Sequence, residues 1–76
     1  MPAKKSPCVQ ALGEAIRAAR TERGYAQAAF AARVGLDRSY FGAVERGEFN
    51  ITMDTLTTIA DGLAIRASAL LRRAGL

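Results

Sequence analysis

The stretch Gln27–Gly47, QAAFAARVGLDRSYFGAVERG, decides how the chain folds. Phe30, Ala31 and Val34 recur at the spacing of a buried helix face, then Gly35 interrupts. Gly35 can take the left-handed backbone that a tight interhelical turn demands. Leu36 returns to the core, and Asp37 is a good N-cap for a new helix, on which Phe41 and Val44 face inward at i, i+3. A turn this short sets two helices at a fixed steep angle, so the second projects from the body. Arg38, Ser39 and Tyr40 open that second run and are hydrogen-bonding types with little business in a core. The period leaves Arg38, Ser39, Gly42, Ala43 and Arg46 for the outer face, with Tyr40 at its margin. Gly42 lowers helix stability by roughly 1 kcal/mol relative to alanine. It is either an exposed glycine without a role or a gap that lets the helix approach another surface.

Outward from this stretch, Val9, Leu12, Ile16 and Ala19 make the apolar stripe of a first helix over residues 9–22, closed by Gly24. MPAKKSP before it reads as a short flexible basic tail, residues 1–7. Ala26 is a poor N-cap for the second helix, and Gln27 sits where free backbone N–H groups attract a phosphate. Thr52, with Asp54 in the first turn, starts a fourth helix carrying Leu56, Ile59, Ala60 and Leu63. A break at Ala64–Arg66 leads to a fifth helix over Ala67–Arg73. Five short helices without a strand pattern predict an all-α domain over residues 8–76.

The 76 residues suit one small domain with a thin core, in which alanine supplies much of the apolar fraction. No apolar run approaches the length of a membrane span. The single cysteine, Cys8, excludes an internal disulfide and fits a reducing cytoplasm. The net charge of +4 lies entirely in residues 1–46, while residues 47–76 balance. The basic excess therefore accompanies the projecting helix, as a polyanionic partner requires. Catalysis is excluded by inventory: there is no histidine, no base beside Cys8, no metal-ligand spacing and no Gly-rich phosphate loop. No metal, cofactor or small-molecule effector is expected.

From Leu12 to Leu71 the sequence resembles the Cro and phage-repressor (Xre) type of helix-turn-helix family. LGEAIRAARTERG, AQAAFAARVGLDRSYFGAVERG and MDTLTTIADGLAI carry the resemblance, in the family's order and spacing. The portion GLDRSYFGAVERGEFNITM looks most like the controller proteins of restriction–modification systems, small regulators that pair through their C-terminal helix. The resemblance implies the lambda-repressor-like five-helix fold. It makes the helix from Asp37 to Arg46 the recognition helix, with Arg38, Ser39 and Ala43 on base-reading positions and Tyr40 beside them. It assigns Gln27 to a phosphate, places Asn50 in a backbone-contacting loop, and matches Arg17 and Glu45 to a pair linking helices one and three. Ala26, Glu48, Phe49 and Ile51 depart from the family pattern, and Glu48 and Phe49 weaken the loop-to-backbone clamp.

A guanidinium near the start of a helix in the major groove can bond O6 and N7 of guanine together, which is the role expected of Arg38. Arg46, at the far end, could reach a base or a phosphate, and phosphate is favoured. Arg17 and Arg33 are further phosphate candidates, although for Arg33 a solvated role is favoured. Ile65, Leu70, Leu71 and Leu76 are the expected dimer interface, since a thin monomer core does not cover them all; the alternative is that these leucines cap the monomer core. The expectation is a homodimeric, sequence-specific regulator on a palindromic double-stranded operator. The alternative is an antitoxin or adaptor module whose main contact is a protein.

Overall fold

The computed structural model describes residues 6–76 as five helices: α1 Pro7–Glu22, α2 Gln27–Val34, α3 Arg38–Glu45, α4 Met53–Gly62 and α5 Ala67–Arg73. Lys4 and Lys5 of the expected tail lie outside the described residues. The first helix starts earlier than the apolar stripe suggested. Ser6 is its N-cap, accepting from the Val9 N–H at 3.1 Å, and Pro7 occupies the first turn. Proline suits that position because the N–H it lacks would be unpaired anyway. Ser6-Pro7 is thus a helix start rather than the end of a tail. No described helix is long and apolar enough to cross a membrane.

Side-chain oxygens cap α3 and α4 as their sequences suggested. Asp37 accepts from the Tyr40 N–H at 3.0 Å, and Thr52 accepts from the Thr55 N–H at 3.0 Å. The turn between α2 and α3 closes on Gly35, whose φ of 74° lies in the left-handed region. Ala64 adopts a φ of 59° after α4, a conformation that disfavours an L side chain.

α3 lies between α1 and α2, while α5 closes the body against α1 and α4. Phe30, Phe41, Ile16, Ile59, Leu63 and Leu70 are fully buried at the centre. The Phe30 and Phe41 rings meet at 5.3 Å, fastening the inner face of α3 to α2. Gly13 fixes the crossing of α1 and α3. A Cβ there would stand 2.5 Å from the Val44 carbonyl oxygen and 2.6 Å from that of Glu45. The two backbones are therefore in direct contact. At the opposite end of α1, Arg73 donates to Glu22 at 3.1 Å and holds its carboxyl below the usual range.

Candidate nucleic-acid interface

The outer face of α3 is built by what the inner face and the cap hold still. Arg38 and Ser39 are exposed in the first turn, immediately after the Asp37 cap. Behind them, Glu45 anchors the other end of the helix. Its carboxylate takes Arg20 Nε at 2.6 Å and Arg20 Nη2 at 3.1 Å, and accepts from Gln27 Nε2 at 2.9 Å. Arg20 Nη1 also donates to the Tyr25 carbonyl at 2.7 Å. One buried carboxylate thus ties together α1, the start of α2 and the end of α3.

This network corrects the expected pair. The partner of Glu45 is Arg20, not Arg17, which is exposed. Arg20 lies four residues after Ile16, so it is about 40° from that core residue around the helix, whereas Arg17 is about 100° away. Arg17 instead lines an open cleft of about 610 Å³ together with Gln10, Glu14, Gln27 and Arg46. The cleft brings Arg17, Gln27 and Arg46, all expected phosphate contacts, to one place.

The middle of α3 also differs from expectation. Ala43 is only 4% exposed, so its methyl is a packing group rather than a base-reading one. Its carbonyl accepts from the Glu48 N–H at 3.0 Å, the bond that closes the end of α3 beyond the left-handed Gly47. Tyr40 is half-buried, and its ring lies 6.0 Å from that of Phe49. A smaller hollow of about 250 Å³ remains on the outer face, lined by Gln27, Arg38, Ser39, Gly42 and Arg46.

A polar, arginine-flanked helix held rigidly behind a glycine turn has the geometry of a groove-reading probe. A family model described as helix-turn-helix matches residues 16–70 of the chain. The chain belongs to the helix-turn-helix family. It is 40% identical over 65 residues to Control protein C.SmaI of Serratia marcescens, across 86% of this chain and 77% of that one. It is 37% identical over 59 residues to the Immunity repressor protein of Bacillus phage phi105, across 78% of this chain but 41% of the repressor's length. Among solved structures, the restriction-modification controller protein C.AhdI from Aeromonas hydrophila matches with a TM-score of 0.79 and 37% identity. That match covers 82% of this chain and 94% of the other. The protein is a DNA-binding transcriptional regulator of this helix-turn-helix, controller-like type.

Other expected contacts of the helix-turn-helix protein sort by location. Asn50 is exposed in the α3–α4 loop. Arg33 lies over the Tyr25 ring at 5.2 Å and donates to the Gly62 carbonyl at 3.4 Å, which directs it toward α4 rather than the probe. Arg46 is gripped by Glu48, which the family comparison of the sequence marks only as a departure that weakens the loop-to-backbone clamp. The expected dimer surface is redrawn most. Leu70 is fully buried and belongs to the monomer core, while Ile65 and Leu71 are half-buried against that core. Leu76 is 54% exposed and is joined by Phe49 at 51% and Met53 at 67%, two residues not foreseen there. With Leu12 and Leu71 these three line an apolar groove of about 190 Å³.

Proposed function

We propose that the protein works as a cytoplasmic homodimer that binds a palindromic operator, each subunit laying α3 in a major groove. The observation carrying this reading is the division of α3. Its inner side is fixed by Phe41 and Glu45, while Arg38 and Ser39 stand exposed on the outer side. Arg38 reads a guanine through O6 and N7, a contact that discriminates by about 1–3 kcal/mol. Ser39 and Tyr40 contribute adjacent contacts, while Arg17, Gln27 and Asn50 hold phosphates. Few bases are read per subunit, so two half-sites about one helical turn apart, roughly 10 bp, supply the required specificity.

Pairing uses the groove between α1, the α3–α4 loop and the C-terminal residues. Phe49, Met53 and Leu76 are large apolar side chains left open there, which a second copy would cover. Met53→Glu places a charge on an exposed position and leaves the core intact. It should give monomers by light scattering and abolish tight operator binding. A dimer surviving this change places the interface elsewhere.

Selection from random duplexes, followed by sequencing of the bound fraction, tests the DNA reading directly. Enrichment of one palindrome, with affinity falling steeply as salt rises, is the expected result. No enriched site, together with tight capture of a protein partner, would replace it with the adaptor reading.

A further inference from the structure

Arg46 and Glu48 form an ion pair on the exposed end of the probe, and its geometry carries more than charge balance. Glu48 grips the guanidinium from the side, with Oε2 on Nε at 2.8 Å and Oε1 on Nη2 at 3.2 Å. An arginine has five N–H donors, so this grip leaves three, including one on each terminal nitrogen. Those two form an end-on fork of the kind that meets O6 and N7 of a guanine. We propose that Arg46 is a second base-reading residue, aimed by Glu48 across Gly42, which lies buried beneath it and has no side chain to deflect it, toward a guanine edge.

Three further observations support the aim. Glu48 sits on a fixed backbone: its N–H bonds the Ala43 carbonyl, and the Gly47 N–H bonds that of Val44 at 3.0 Å. The guanidinium lies back along α3, because a Cβ on Gly42 would stand 3.3 Å from Arg46 Nη1 and 3.4 Å from Gln27 Oε1. Arg38, Ser39, Gly42 and Arg46 consequently share one hollow on the outer face. Charge then favours a base over a phosphate. The Glu48 carboxylate cancels the local charge that a backbone contact relies on, and repels the phosphate itself. Hydrogen-bond direction, which base reading needs, is strengthened by the same contact.

This inference rests on α3 being the DNA probe, so the test uses the whole protein and the selection experiment above with Arg38→Ala, Arg46→Ala, Glu48→Gln and Gly42→Ala. Arg46→Ala should lose preference at one guanine per half-site, distinct from the position lost with Arg38→Ala, by roughly 5- to 150-fold. Glu48→Gln should relax that same position while raising affinity for random duplex and steepening the salt dependence. Gly42→Ala should raise the melting temperature, alanine being the better helix former, yet relax the same position. A uniform loss across all sequences with Arg46→Ala, and a salt slope shallower by about one, would make Arg46 a phosphate contact and overturn the proposal. Failure of the unaltered protein to enrich any site would instead strike at the DNA reading itself.

Discussion

Two carboxylates close the same helix three residues apart, and each holds an arginine by a side-on fork, yet they do opposite work. The Arg20 and Glu45 side chains are 9% and 3% exposed, whereas those of Arg46 and Glu48 are 58% and 37% exposed. Burial makes the first pair a structural joint, because either partner alone would be a charge without water. Exposure lets water and salt substitute for either partner in the second pair, so it adds little to folding. What remains to it is direction. Depth, rather than chemistry, separates the residue that holds the probe from the residues that it presents.

The contrast can be broken first at its buried half. Glu45→Ala strands Arg20 and frees Gln27, and should destabilise the fold by about 3–5 kcal/mol in urea denaturation. Wild-type stability in that variant would remove the network from its structural role. Gly13→Ala drives a methyl into the backbone of α3 and should cost roughly 1–3 kcal/mol, as overpacking does. Its measured operator affinity should fall further than the unfolded fraction accounts for, because the probe is displaced. Asp37→Ala removes the cap at the opposite end of α3 and should cost about 1 kcal/mol. At the exposed half, Glu48→Gln should leave the melting temperature unchanged within error while altering DNA binding. A clear drop in melting temperature there would erase the distinction between the pairs.

The glycine turn, the Asp37 and Thr52 caps and the fifth helix were legible because each rests on local chemistry. Arg20 was hidden by its neighbours. Read along the stripe from Val9 to Ala19 it falls among polar residues, but the series Gly13, Ile16, Arg20 marks the face turned toward α3. Ala43 is ambiguous in the sequence because a methyl suits either side of a helix, and its burial is decided by packing that spacing does not reveal. Leu70 is fully buried although its spacing also suits a dimer surface, because spacing does not measure depth in so short a helix. Its neighbours Leu71 and Leu76 lie nearer the surface, and Phe49 and Met53 join them only when the α3–α4 loop is in place.

Gly13 brings α1 and α3 into backbone contact, leaving no layer of side chains between them to deform. The probe has no hinge of its own. In the proposed dimer, two such probes would meet DNA as the jaws of a caliper that cannot flex within either subunit, so mismatch in phase or curvature would fall on the subunit joint and the duplex. On the proposed operator, bases lying between the half-sites would then influence affinity through their stiffness.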